Sequence, residues 1–335
     1  MSIAMTGGGT GGHLAIVRAV KEQLKKEELI YIGSTRGQDK QWFEADEAFG
    51  AKYFLSTQGV VNQGILGKAK SLWMMLKATK TAVGLLKKHN ARVVFSVGGF
   101  SSAPTAFAAK ILRIPLVIHE QNAALGSLNR LLKPYAASFI SSYLQGSPVK
   151  AYPVKEIFFE NARTRKHVKT IIFLGGSQGA KAINTLALQI APQLHKKRIK
   201  IIHQAGEKHV KDVQEAYEAL GIEAEVFGFT TRLAEYMKEA DLAIARAGAS
   251  TLWELSATAL PALFIPYPYA ASDHQYYNAQ FLVEKELAWV MREDQIDVIR
   301  VLTLLDEDME VKSRGLMQMI QKDGSKKIAE LLLQF

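Results

Sequence analysis

Gly7-Gly8-Gly9-Thr10-Gly11-Gly12-His13 follows the short apolar run Ile3-Ala4-Met5, and Gly175-Gly176-Ser177-Gln178-Gly179-Ala180 follows Ile171-Ile172-Phe173-Leu174. Each is a strand, a glycine turn and the start of an apolar-periodic helix, where backbone N–H groups and a helix N-terminus gather around an anion. The second run begins 168 residues after the first. Two such turns in one chain predict two nucleotide-type domains facing each other across a cleft. Apolar runs alternate with helical stretches at Leu29–Gly33, Val93–Val97, Leu116–His119, Ser138–Ser141, Ile199–His203, Val226–Phe229, Leu242–Ala245 and Ala262–Pro266. The expected fold is α/β, with two Rossmann-like doubly wound parallel sheets. The break is expected where Gly146-Ser147-Pro148-Val149 and Tyr152-Pro153-Val154 interrupt the helical pattern, giving domains 1–153 and 154–335. The last stretch, Ser325 to Phe335, has apolar residues at helical spacing and is expected to return onto the N-terminal domain.

The 335 residues, 48% hydrophobic, suffice for two cores. The first 12 residues hold a strand and a glycine turn rather than a signal peptide. No apolar run reaches the roughly 18 residues of a spanning helix. The chain has no cysteine, which excludes disulfides and thiolate chemistry and fits a cytoplasmic compartment. The net charge of +10 is uneven: residues 1–153 carry 19 basic and 8 acidic side chains, a surplus of 11, and residues 154–335 carry 23 and 24, a deficit of 1. Such a first half attracts phosphate, nucleic acid or an anionic leaflet. A nucleic-acid binder is disfavoured because aromatic stacking groups are not interleaved with the lysines.

The segment Ile65 to His89 joins Ile65, Leu66 and six lysines, Lys68 and Lys70 among them, to a helical stripe of Leu72, Met75, Leu76, Thr79, Val83 and Leu86. That stripe is expected to be core. Trp73 and Met74 fall off it beside Lys70 and Lys77, the composition of an interfacial membrane contact.

The first loop also fits Gly-x-Gly-x-x-Gly through Gly7, Gly9 and Gly12. A dinucleotide site expects an acid at the end of the second strand, and Leu29–Gly33 runs instead into Ser34-Thr35-Arg36. His13, which titrates near neutrality beside an anion-type loop, reads as a candidate base or as a plain helix cap. His119 reads as a satisfied histidine at a strand end. The histidines at 89, 167, 195, 203 and 209 show no metal-like pairing, and Asp306-Glu307-Asp308 reads as surface charge in a helical stretch.

Six motifs occur in order: Gly-Gly-Thr-Gly-Gly-His at 8–13; Gly98-Gly99-Phe100-Ser101-Ser102-Ala103-Pro104; His119-Glu120-Gln121-Asn122; Gly175 to Ala180; Arg246-Ala247-Gly248-Ala249-Ser250-Thr251 to Glu254; and Asp273-His274-Gln275 with Asn278. In this combination, over almost its whole length, the chain resembles the MurG family of peptidoglycan glycosyltransferases. The resemblance implies a GT-B fold and inverting, metal-independent transfer of N-acetylglucosamine from UDP-N-acetylglucosamine to the MurNAc 4-hydroxyl of lipid I, forming lipid II. It implies no cofactor and no metal, an acceptor-binding and membrane-associating N-terminal domain, and a UDP-sugar-binding C-terminal domain. The enzyme would be peripheral on the cytoplasmic side of the inner membrane. Its partners would be anionic inner-leaflet phospholipid and other cell-wall synthesis proteins.

Inversion needs a base on the acceptor hydroxyl and stabilisation of the departing diphosphate. His13 can supply the base, with Glu120 as its partner or alternative; Ser177 and the amides of its turn suit the diphosphate. Glu254, one turn into the helix beginning near Ser250, can accept both ribose hydroxyls. By resemblance the backbone around Phe229-Thr230 reads the uracil, Gln275 and His274 contact the donor sugar, and Ala249, Ser250 and Thr251 belong to the donor site. Thr10, Gly11 and Gly12 border the donor sugar and the acceptor pyrophosphate. Gly98, Gly99, Phe100, Ser101, His119 and Asn122 face the acceptor, Asn122 also reaching the donor.

The chain departs from the family pattern at Ile16, where proline is usual, at Phe100, often tyrosine, and at Tyr152-Pro153-Val154-Lys155, where Lys155 replaces an arginine and loses its planar fork while keeping a charge for the diphosphate. Rival readings are another GT-B glycolipid glycosyltransferase of the diacylglycerol type and a non-catalytic UDP-sugar sensor.

Overall fold

The computed structural model describes every residue except Thr10, residues 58–64 and Ser177, and describes residues 65–70 by their backbone only. Twelve strands are described: β1 Ser2–Thr6, β2 Leu29–Ser34, β3 Ala51–Leu55, β4 Ala91–Ser96, β5 Leu116–Glu120, β6 Ser138–Ser141, β7 Thr170–Leu174, β8 Lys200–Gln204, β9 Glu225–Phe227, β10 Leu242–Ala245, β11 Ala262–Phe264 and β12 Trp289–Val290. They form two six-stranded sheets, ordered β3-β2-β1-β4-β5-β6 and β12-β11-β10-β7-β8-β9, parallel throughout. Counted from its own first strand, each sheet has the doubly wound order 3-2-1-4-5-6. In each, the strand order reverses beside the first strand, where loops at the carboxyl ends can reach a ligand.

Helices cover both faces of a parallel sheet, so its central strands read as continuous apolar runs. β1, β2, β7 and β10 are buried at every residue. One core gathers Ala4, Ile30, Ile32, Val94 and Ile118 with Ala82 and Leu86. The other gathers Ile171, Phe173, Ile244 and Leu263 with Ile183, Leu186, Ala187, Ile190, Ala191 and Leu194 from one face of the helix Lys181–Lys196.

The chain divides into two compact units, Met1–Val154 with Asp323–Phe335, and Lys155–Lys322. The helix Gly324–Leu332 buries Ile328, Ala329 and Leu332 and meets the helix Gly11–Lys21. Arg92, paired with Glu27 at 3.0 Å, also donates to the Leu332 carbonyl. Asp323, Lys326, Lys327 and Glu330 balance, so the first unit retains the whole basic surplus. In the second unit the buried guanidinium of Arg165 donates to the carbonyls of Arg163, Met237, Ala240 and Thr258. Burial, with the charge of Arg163 adding to it, pulls its pKa down to about 9.

The structure corrects three expectations. β3 and β12 are strands where no strand was expected. Both are edges, half-buried along their length; Lys52 interrupts the apolar residues of β3, and β12 is only two residues long. In the helix Ile65–Lys88 the buried positions are Ser71, Ala78, Thr79, Ala82 and Leu86, whereas Leu72 and Leu76 stand exposed with Trp73, at 58%, 63% and 63%. Small residues form the seam because this helix lies close against the helix Ala103–Leu112. The side chains of Ile65, Leu66, Lys68 and Lys70 lie outside the described residues. Asp306, Glu307 and Asp308 occupy a turn between the helices Val298–Leu304 and Glu310–Met319, with Asp306 paired to Lys197 and Glu307 to Arg300. Among the described residues no helix is long and apolar enough to cross a membrane, and no three metal-type ligands come together.

Candidate active site

In the first unit the loop after β1 is gripped by the loops after β2 and β4, with glycine meeting glycine. A Cβ on Gly99 would stand 2.5 Å from the Gly8 carbonyl oxygen, and one on Gly37 would stand 2.6 Å from the Gly9 Cα, so only glycine permits this approach. Asp39, fully buried, locks it: its carboxylate accepts from the Gly9 N–H at 2.7 Å, the Ser34 N–H at 3.1 Å and the Tyr31 hydroxyl at 2.9 Å. The Tyr31 oxygen also stands 2.8 Å from the Gly7 carbonyl. Burial and then the charge of Asp39 push the Tyr31 phenol far above its ordinary pKa. An acid therefore does follow β2, five residues beyond where a dinucleotide site would place it, and it serves the loop itself. The signal for it was the turn Arg36-Gly37-Gln38-Asp39.

The helix Gly11–Lys21 starts on this loop and sets His13 in its first turn, half-buried, with Gly11 and Gly12 partly exposed beside it. Thr10 lies outside the described residues. Side chains alternate along an extended chain, so His119 and Gln121 share one direction and Glu120 takes the other. Gln121 Nε2 stands 3.0 Å from His13 Nε2 and 3.3 Å from Nδ1. His119 is fully buried, edge-on to the Tyr152 ring at 5.7 Å, and neither ring nitrogen has a hydrogen-bond partner among the described residues. It is thus not the satisfied histidine expected of a strand end. Burial, then the charge of His13, lowers its pKa to about 3, so it is neutral.

Glu120 points into the following loop. Its carboxylate accepts from the Asn122 N–H at 3.0 Å, the Gly126 N–H at 2.9 Å and Asn129 Nδ2 at 2.9 Å. These bonds hold the segment carrying Asn122 and leave Glu120 the work of a staple. Gly98 and Gly99 turn with positive φ, and the half-buried Phe100 ring covers Gly9. Ser101 Oγ and Thr105 Oγ1 are buried without partners among the described residues. Unpaired buried polar atoms are costly; those of Ser101 and Thr105 follow β4 and those of His119 stand next to last in β5, near the carboxyl ends of these strands, where a polar ligand would satisfy them.

In the second unit the loop Gly175–Ala180 lies against the chain after β8. A Cβ on Gly206 would stand 2.3 Å from the Gly179 nitrogen. Ser177 lies outside the described residues. Below the loop, His203 is buried between Tyr217 Oη at 3.0 Å and Asn184 Oδ1 at 3.0 Å, and Asn184 Nδ2 donates to the Ala205 carbonyl. Burial lowers the His203 pKa to about 3.

The helix Ala249–Ala257 begins the second half of this site. Ser250 Oγ is buried without a partner among the described residues, and Thr251 and Glu254 follow, half-buried. Burial raises the Glu254 pKa to about 7, and the charge of the exposed Lys155 opposes the rise. Thr230 Oγ1 accepts from the Arg232 N–H at 3.0 Å, next to Phe229, which is largely exposed. Gln275 Oε1 accepts from the Tyr267 N–H at 2.9 Å, and His274 Nδ1 stands 2.8 Å from the Ala271 carbonyl, so both side chains brace the loop before the helix His274–Val283. Asn278 Nδ2 donates to the Ala247 carbonyl at 3.1 Å. Sequence reading assigned no role to Arg246, whose guanidinium donates to the carbonyls of Ile265 and Pro266 and pairs with Glu293 at 2.6 Å.

The whole chain superimposes on a crystal structure of MurG from Acinetobacter baumannii with a TM-score of 0.83 at 28% identity, covering 100% of this chain and 99% of that one. At 13% identity, where likeness concerns the fold alone, it matches the Streptomyces glycosyltransferase SsfS6 with a TM-score of 0.66 over the full length of both chains. The two sheets and their paired glycine loops are those of the GT-B glycosyltransferases. Residues 3–141 match the glycosyltransferase family 28 N-terminal domain and residues 170–332 its C-terminal domain. A Sulfurovum protein named UDP-N-acetylglucosamine--N-acetylmuramyl-(pentapeptide) pyrophosphoryl-undecaprenol N-acetylglucosamine transferase is 74% identical over 335 residues, covering 100% of this chain and 99% of its own. A Campylobacter jejuni protein of the same name is 50% identical, covering 100% and 97%. The chain belongs to glycosyltransferase family 28, among the MurG enzymes.

Proposed function

We propose that this chain transfers N-acetylglucosamine from UDP-N-acetylglucosamine to the MurNAc 4-hydroxyl of lipid I, giving lipid II, with inversion and without a metal or other cofactor. The observation that carries the reading is the 74% identity, end to end, with a relative bearing that activity in its name. In the reaction the 4-hydroxyl oxygen bonds to the anomeric carbon from the face opposite UDP. The bond from that carbon to the diphosphate oxygen breaks, and UDP leaves with the electron pair.

His13 is the base that takes the hydroxyl proton, because Glu120 already accepts three N–H bonds within its own loop. Gly98, Gly99, Phe100, Ser101, His119 and Asn122 receive the acceptor, the unpaired His119 nitrogens and Ser101 Oγ supporting this role. In the second unit Glu254 takes the ribose hydroxyls, with Lys155 favouring its ionised form. Ala249, Ser250, Thr251 and Thr230 complete the nucleotide site, His274 and Gln275 meet the sugar, and Ser177 with its turn meets the diphosphate. Gly11, Gly12 and Thr10 border the sugar.

The exposed Leu72, Trp73 and Leu76, with Lys77 over the Trp73 ring at 5.6 Å and Lys80 one turn further, suit docking on the anionic cytoplasmic leaflet of the inner membrane. Other cell-wall synthesis proteins would meet it there.

The test is a transfer assay with sugar-labelled UDP-N-acetylglucosamine, a short-chain lipid I analogue and excess chelator. Label in the lipid product, with the β-linkage of inversion, is expected. Saturable donor binding without transfer would indicate a sensor, and transfer only to diacylglycerol would indicate the other glycolipid class.

A further inference from the structure

Gln121 lies against the ring edge of His13, its Nε2 within hydrogen-bond reach of both ring nitrogens, while its Oε1 is buried without a partner among the described residues. A buried amide oxygen is costly to leave unpaired, and the group beside it gains a proton during the reaction assigned above. Neutral imidazole offers one N–H donor and imidazolium offers two. We propose that Gln121 is the positioning residue of the base: its amide holds the ring of neutral His13 through Nε2–H until the acceptor hydroxyl takes the place of that N–H at the ring lone pair, and then, turned about its last bond, accepts the ring N–H of the imidazolium through Oε1. The inference rests on His13 as the base.

The chemistry of an amide explains why this position is not a carboxylate. A carboxylate would raise the proton affinity of the ring before reaction and, being an acceptor only, could not donate to the lone pair of the neutral ring. An amide carries no charge and can serve either protonation state. The ionisable neighbours leave that task to Gln121. Glu120 is committed to Asn122, Gly126 and Asn129. Asp39, under the same loop, is committed to Gly9, Ser34 and Tyr31. His119 is neutral and buried, and Arg18, further along the His13 helix, stacks over Trp42 at 4.5 Å.

The test is the pH profile of kcat and of kcat/KM on a solubilised acceptor for the intact chain and for Gln121→Met, Gln121→Glu and His13→Ala, with melting curves confirming that each is folded. Gln121→Met is expected to lower kcat by about tenfold, the order of one lost hydrogen bond, with the donor KM within about twofold of the parent. Gln121→Glu is expected to move the acidic limb up by about one pH unit, as a carboxylate beside an imidazolium does. Wild-type kcat and an unmoved limb in both Gln121 variants, with His13→Ala inactive, would overturn the role of Gln121 alone. A loss in Gln121→Met with no displacement in Gln121→Glu would show a structural role and overturn it equally. Activity retained in His13→Ala would remove the base itself.

Discussion

The loops after β1 and β7 stand at the same point of two sheets with the same strand order, yet they are held by different means. The first is locked by a buried carboxylate, which takes the Gly9 N–H for itself. The second rests backbone on backbone against the chain at Ala205 and Gly206, with no carboxylate bonded to it among the described residues. The buried histidines differ likewise: His203 has a partner on each nitrogen and supports Ala205, while His119 has none on either among the described residues. Under the proposed roles, one fold position serves two kinds of chemistry. A loop holding a carboxylate is organised to present His13, and a loop free of negative charge is suited to a leaving diphosphate.

Acid should act on both units through the two histidines, and by the largest amount. Each has a folded pKa of about 3 against an ordinary 6.5. The unfolded chain therefore binds protons that the native state refuses, and stability falls as pH drops from 6.5 towards 3, by up to about 5 kcal/mol for each histidine at the lower end. Urea unfolding as a function of pH measures this. The contrast between the sites predicts that His203→Leu, which unpairs Asn184 and Tyr217, destabilises the protein at neutral pH by about 2 kcal/mol. His119→Leu should cost much less stability while raising the acceptor KM. Equal destabilisation by both would remove the distinction between a structural and a ligand-facing histidine.

His13→Ala should lower kcat by about 100-fold or more with donor affinity unchanged, as single-turnover rates and calorimetric donor binding would show. Asp39→Asn keeps the volume but weakens charge-assisted bonds to the first loop, and is expected to destabilise the protein by about 2 kcal/mol and lower kcat. A wild-type melting curve would show that backbone contacts alone hold this loop as they hold the second.

Glu254 sharpens the comparison from the donor side. With its pKa raised to about 7, wild-type donor affinity should weaken as pH falls through 7, and Glu254→Gln should raise the donor KM about tenfold and abolish that dependence. Above pH 7 the same variant should be the more stable protein. Between 4.5 and 7 the unfolded carboxyl ionises before the folded one, so the wild type loses stability across that window, and glutamine escapes the loss. The smallest effect is expected from serine at Leu72, Trp73 and Leu76: vesicle binding should fall about tenfold, with turnover of a short-chain soluble acceptor spared. Loss of soluble activity as well would tie these residues to catalysis or folding rather than to the membrane.

The glycine loops, the central strands and the histidine at the first helix start were legible because a doubly buried parallel strand is a continuous apolar run and a tight turn into a helix needs glycine. β3 and β12 were not, since Lys52 interrupts the apolar residues of the first and only two residues of the apolar stretch Leu287–Met291 pair as the second. The helix Ile65–Lys88 misled by its large residues: Leu72 and Leu76 fit a core stripe, but close helix approach selected Ser71, Ala78 and Ala82.

By itself, then, the sequence determined the architecture, the charge asymmetry and the family, because periodicity, glycine spacing and motif order are properties of a linear chain. Only the tertiary structure decided what each polar group does. Asp39 belongs to the first loop, Glu120 to its own turn and Gln121 to His13, because a hydrogen bond depends on distances of about 3 Å between residues as many as 108 positions apart, which no local pattern encodes.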